Sequence, residues 1–172
     1  MNRMAWLRVA LFLGIYALLH ASYQALRESS FDPWFIHNLT VRPAAALIGW
    51  IWPMDGVAPA GPRLVWPNGR LTLLAGCDGF EVMSLFVAAM LVADVTWRRG
   101  LLFLGAGCVA VWMLNQLRIA ALYWAFRYER AWFDAIHTAW GPLVLILAVA
   151  AIYAWAVGWR ARGPTSAMAH AG

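Results

Sequence analysis

Residues 80–126 read FEVMSLFVAAMLVADVTWRRGLLFLGAGCVAVWMLNQLRIAALYWAF, two apolar runs (80–97 and 101–126) hinged on Arg98-Arg99-Gly100. Each run is long enough to cross a hydrocarbon core of about 30 Å as a helix. The stretch therefore predicts a pair of transmembrane helices joined by a tight basic turn. Outward from it lie two further runs of spanning length, residues 5–25 and 140–159. The first is too long for a signal-peptide core and no small-residue cleavage site follows it, so it is expected to stay as an anchor. The expected fold is an all-α integral membrane protein with four transmembrane helices.

Composition points the same way. Of 172 residues, 63% are hydrophobic and 12% charged, which excludes an ordinary soluble domain. The 12 Trp, 5 Tyr and 8 Phe suit rings with an apolar body in lipid and a polar tip at the interface. All 13 basic residues are arginines and the net charge is +5. They cluster at segment ends, where they set topology and meet anionic membrane lipid, and form no stripe interleaved with aromatics. A nucleic-acid partner is therefore not expected. Arg3 with Arg8, Arg98 with Arg99, and Arg160 with Arg162 would face the cytoplasm. The chain is then a multi-pass protein of the cytoplasmic (inner) membrane with both termini inside. Outer arginines are diluted by Glu28, Asp32, Asp55, Asp78, Glu81, Glu129 and Asp134.

The long outer loop divides into pieces. Residues 35–52 are apolar but broken by Arg42-Pro43, which reads as an interfacial helix or helical pair; a fifth span would throw the C-terminal arginines outside. Residues 56–62 are a Gly/Pro-rich linker. Residues 63–66 and 70–74 around Asn68-Gly69 predict a short β-hairpin. Residues 1–162 form one domain, and 163–172, small and polar, are expected to be a disordered tail.

Some polar residues stand out against this background. Counting 1.5 Å of rise per helical residue from the cytoplasmic arginines puts Cys77, Arg118 and His137 about 31, 28 and 34 Å up, in one layer at the outer face. Cys77 lies in Gly76-Cys77-Asp78-Gly79 where the second span begins. The helix dipole there is expected to lower its pKa, with Asp78 opposing unless it caps the helix. The alternative is an inert buried thiol. Arg118, in Asn115-Gln-Leu-Arg118-Ile119, costs several kcal/mol inside lipid unless paired or snorkelling, and Asn115 shares its face.

His137 follows Asp134 at a spacing that would orient the imidazole; otherwise it is an interfacial histidine with an acidic cap. Glu81, one turn after Cys77, is expected either to pair with Arg118 or to face water. Asp94 is expected to pair with Arg98, and His20, Ser22, Tyr23 and Gln24 to form a polar upper end of the first span. Cys108 lies roughly 18 Å below Cys77, too far for a disulfide or a shared metal. No zinc-type Cys/His spacing occurs, so no zinc site is expected.

Taken together, Gly76-Cys77-Asp78-Gly79 at the start of one span, Asn115 to Ile119 in the next and His137 opening the last resemble the exosortase/archaeosortase family of membrane-embedded cysteine transpeptidases. The resemblance covers roughly residues 57–159 and is closest to compact single-domain forms such as the exosortase H type. One departure is Asp78, where many members carry a small uncharged residue. The resemblance implies a cysteine peptidase or transpeptidase without cofactor, its active site extracytoplasmic. Its partners would be exported proteins ending in a recognition motif, a transmembrane helix and a basic tail. It makes Cys77 the nucleophile, His137 the general base and acid, and Arg118 the partner of the oxyanion, with Asn115, Asp134 and Glu81 in support. The rival expectation is a non-catalytic assembly factor or transporter subunit.

Overall fold

The computed structural model describes residues 3–27, 29, 31–73 and 76–158. The expected tail at 163–172, with Arg160 and Arg162, lies outside them. Among the described residues three helical stretches are long and apolar enough to cross a membrane: Arg3–Arg27, Trp97–Tyr128 and Arg130–Gly158. The first is α1 and the second α5. The third consists of a 3-10 turn (Arg130–Trp132), α6 (Phe133–Ala135), a π-helical turn (Ile136–Trp140) and α7 (Gly141–Gly158). Large apolar side chains stand exposed along these helices, among them Trp6, Leu7 and Leu18 on α1 and Leu143, Val144 and Leu147 on α7. Lipid solvates such surfaces and water does not.

The second apolar run departs from expectation. Its helix, α4, is Phe80–Val92, 13 residues, about 20 Å at 1.5 Å per residue and short of the core's thickness. The turn lies at residues 93–96, not at Arg98-Arg99-Gly100. Ala93 and Thr96 take extended angles (φ −67°, ψ 138°; φ −64°, ψ 141°), and the two arginines and Gly100 ride in the first turn of α5. Asp94 lies in the break and pairs with Arg8 (3.6 Å), not with Arg98 as expected. That ion pair brings the Arg8 end of α1 to the α4–α5 turn. Helix α4 packs against α1, α5 and α7.

The segment between α1 and α4 departs from expectation in two places. Helix α2 (Phe31–Phe35), a π-helical stretch (Ile36–Val41) and α3 (Arg42–Ile51) run on without a break at Arg42-Pro43. Pro43 cannot donate to the Leu39 carbonyl four residues back, and that carbonyl accepts instead from Trp112 Nε1 (2.8 Å) and Gln116 Nε2 (3.4 Å) of α5. The expected two-stranded hairpin is a three-stranded antiparallel sheet in the order β1-β2-β3. Its strands are Ala58–Ala60, Arg63–Trp66 and Gly69–Thr72, so part of the expected linker is a strand.

Leu64, Trp66, Leu71 and Leu73 of the sheet join Ala44 and Ile48 of α3 and Ile119 and Tyr123 of α5 in one buried core. With 32 residues, α5 is about 48 Å long, which leaves its upper turns free to carry this core. Tyr123 and Tyr128 donate hydrogen bonds of 2.6 Å to Asp55. These bonds, the Tyr123 one foremost, hold the Asp55 carboxyl below its ordinary pKa.

Candidate functional site

Cys77, Arg118 and His137 come from three segments far apart in sequence and meet beneath the sheet. The Cys77 Sγ lies 3.8 Å from His137 Nδ1, within reach of a sulfur hydrogen bond. With the imidazole proton on Nε2 the thiol donates to Nδ1. Arg118 donates to two main-chain carbonyls, NH1 to Gly76 (3.4 Å) and NH2 to His137 (3.2 Å). One guanidinium thus clamps the residue before the thiol to the residue that carries the imidazole. Asn115, nearly fully buried, donates from Nδ2 to the Cys77 carbonyl (3.0 Å), which fixes the backbone of the same residue.

Two glycines make this packing possible. Gly79 sits at φ +78°, and a Cβ there would fall 2.9 Å from the Asn115 side chain. Its position favours glycine on both counts. At Gly141 a Cβ would meet Arg118 Nε at 2.6 Å and the Ile136 carbonyl oxygen at 2.7 Å, so the missing side chain is the space through which Arg118 passes the start of α7. His137 itself stands in the π-helical turn before α7, a widened geometry that recurs at functional sites.

The supporting residues divide. Asp134 is exposed, and it meets its neighbours through its carbonyl, which accepts from Thr138 Oγ1 (2.6 Å). It does not hold the imidazole. Phe133 does so, stacking on the His137 ring at 5.7 Å between centroids and 9° between planes. In water a carboxylate at this position keeps its hydration, whereas the flat ring of Phe133 is partly buried and gains by covering another ring. Glu81 is exposed and forms no ion pair with Arg118, whose hydrogen bonds go to carbonyls. From α1, the Tyr23 hydroxyl donates to the Asp78 carboxylate, and its ring stacks on Phe80 at 3.8 Å. His20 and Gln24 bond each other (3.3 Å).

Asp78 also accepts from the Phe80 N–H (3.4 Å), a capping role that turns its charge toward the helix start. The thiol is not activated in the way the sequence suggested. Burial pushes the Cys77 thiol up from its ordinary pKa, the Arg118 charge pulls it down and Asp78 pushes it further up. Burial wins because Cys77 is only 6% exposed and a thiolate there gives up its hydration.

A cavity of about 260 Å³ opens on the pair, lined by Leu71, Thr72, Leu73, Cys77, Leu122, Phe133 and His137. Sequence reasoning missed Phe133, Gly141 and the strand residues here; only the i, i+4 spacing of Phe133 and His137 offered a signal. Cys108 lies apart, lining a separate apolar cavity beside Asn115. Among the described residues no group of three or more His, Cys, Asp and Glu side chains is arranged to hold a metal ion. No family model, curated protein or solved structure matches the chain.

Proposed function

We propose that this chain is a membrane-embedded cysteine peptidase or transpeptidase of the exosortase/archaeosortase type, cleaving C-terminal sorting signals of exported proteins at the outer face of the cytoplasmic membrane. The observation that carries the reading is the 3.8 Å approach of Cys77 Sγ to His137 Nδ1, with Arg118 bridging the main chains of both segments. A thiol, a base within reach and a fixed cation are the minimum set for acyl transfer.

The proposed chemistry runs in two halves. His137 Nδ1 takes the Sγ proton as sulfur attacks the scissile carbonyl, so an S–C bond forms and the carbonyl oxygen becomes an oxyanion. Arg118 faces that charge with guanidinium N–H groups beyond the two already engaged. Collapse breaks the C–N bond, His137 gives its proton to the leaving amine, and a thioester remains on Cys77. An acceptor amine or water, deprotonated by His137, then attacks the thioester and restores the thiol.

In this reading four helices cross the membrane, the short α4 completed by residues 93–96 at its inner end, with both termini inside. The exposed Asn68 in the β2–β3 turn is then outside. A membrane-impermeant maleimide should label Asn68→Cys in intact spheroplasts. The activity test is an immunoblot of an exported reporter ending in an apolar helix and a basic cluster, drawn from proteins encoded beside this chain. Wild type should convert it to a shorter form, while Cys77→Ala and His137→Ala, present in the membrane at wild-type amounts, should leave it full length. Processing that survives Cys77→Ala would overturn the proposal in favour of a non-catalytic assembly role.

A further inference from the structure

Strand β3 has one partner. In the sheet order β1-β2-β3 it pairs only with β2, in the register Leu64 to Leu71 and Trp66 to Gly69. The Leu73 N–H continues that side, donating to the Pro62 carbonyl at 2.9 Å. Backbone groups alternate along a strand. Gly69, Leu71 and Leu73 therefore spend theirs on the β2 side, and the N–H and C=O of Arg70 and Thr72 point the other way. Among the described residues no strand pairs with that edge. An open edge is a template for another extended chain.

What lies along this edge gives it a use. Leu71, Thr72 and Leu73 line the same cavity as Cys77, His137 and Phe133. The free edge and the thiol–imidazole pair thus open on the same space. Its volume of about 260 Å³ exceeds the roughly 150 Å³ that admits a benzene-sized guest, so one bulky side chain fits with room for the flanking backbone. No Asp, Glu, Lys or Arg side chain lines it.

We propose that the outer edge of β3 is the substrate-binding strand of this site. An extended segment of the polypeptide substrate pairs its backbone with Thr72 and buries one uncharged aliphatic side chain, next to the scissile bond, in the cavity. The inference rests on the cysteine-peptidase reading and adds the substrate's conformation and the chemistry of one subsite. A helical segment is excluded as the occupant, because its own N–H and C=O groups are already paired.

The test uses the purified full chain in lipid nanodiscs and a tetrapeptide ending in leucine chloromethyl ketone, which alkylates Cys77 with loss of chloride. The comparison probes are the same peptide ending in an aspartate ketone, its backbone N-methylated forms, and iodoacetamide, which needs no subsite. Thr72→Pro removes the outward N–H without touching the β2 ladder.

Losing one backbone pair should slow alkylation by the leucine probe about tenfold. That loss is expected in Thr72→Pro, and in wild type with one of the N-methylated forms. Iodoacetamide rates should stay at wild-type values, and the aspartate probe should be the slower. Equal rates for the leucine probe, its N-methylated forms and the aspartate probe would overturn edge binding while leaving the peptidase reading intact. If Thr72→Pro also changes the iodoacetamide rate, the N-methylated series on wild type decides. A wild-type Cys77 that reacts with neither peptide nor iodoacetamide would count against the peptidase reading itself.

Discussion

Gly141→Ala is the change that most directly tests the clamp. The added methyl would lie 2.6 Å from Arg118 Nε, 3.0 Å from Arg118 Cδ and 2.7 Å from the Ile136 carbonyl oxygen, where ordinary contact begins at 3.4 Å. Alanine gains about 1 kcal/mol over glycine in a helix, so propensity alone predicts a more stable protein. Against this, the Ile136 oxygen is main chain and cannot swing aside, and the guanidinium must retreat by nearly 1 Å.

That movement stretches the bonds to Gly76 and His137, now at 3.4 and 3.2 Å, past hydrogen-bonding range. Bonds to a charged group contribute about 1.5–3 kcal/mol each, so the loss exceeds the propensity gain. A displacement of about 1 Å at reacting groups costs on the order of 100-fold in rate. The assay is the initial rate of reporter processing, normalised to enzyme in the membrane fraction. Gly105→Ala is the control, because a Cβ there meets nothing within 4 Å. Gly141→Ala within threefold of wild type would refute the claim that Arg118 position limits the reaction.

Three further outcomes are expected. Arg118→Lys keeps the charge but loses the planar fork that reaches two carbonyls at once, and processing should fall about 100-fold to 1000-fold with the protein still inserted; wild-type processing on an immunoblot would remove the oxyanion and clamp roles together. Since burial raises the Cys77 pKa, the maleimide reaction rate should climb with pH through a midpoint above the roughly 8.5 of a free cysteine; a midpoint below that value would mean a preformed thiolate. Phe133→Leu should slow processing at least tenfold by unstacking His137, whereas Asp134→Ala should stay within twofold of wild type, and the reverse order would restore the carboxylate as the orienting group.

The convergence of Cys77, Arg118 and His137 was legible because each lies a countable helical rise from an arginine cluster. The three side chains do meet, although α4 ends at Val92, five residues short of the helix that the count assumed. Asn115 was legible for a related reason, since i, i+3 spacing survives in a regular helix. Asp134 misled because two neighbours of His137, at i−3 and i−4, were both available. The sequence does not say which one lies against the protein. Gly141 and the edge of β3 were illegible in a stricter sense. Their roles come from crossings of α5 with α7 and of the sheet with the cysteine segment, and no local pattern encodes a crossing.

The direction of the Cys77 pKa shift bears on how such a site can work at all. A helix start favours the thiolate by a fraction of a kcal/mol when exposed, but a thiol that is 6% exposed loses more by giving up water, so burial sets the sign. In the proposed reaction the proton then moves from sulfur to His137 as substrate arrives. This has a chemical advantage. Nucleophilicity of a thiolate rises with its pKa, with a slope of about 0.4–0.5, so sulfur released only at the moment of attack is the stronger nucleophile. It also gives Asp78 a place. Its charge, held toward the helix start by Tyr23 and the Phe80 N–H, opposes a thiolate at Cys77, and Arg118 supplies the opposing pull. In the proposed reaction that pull grows in value once negative charge develops on the substrate oxygen.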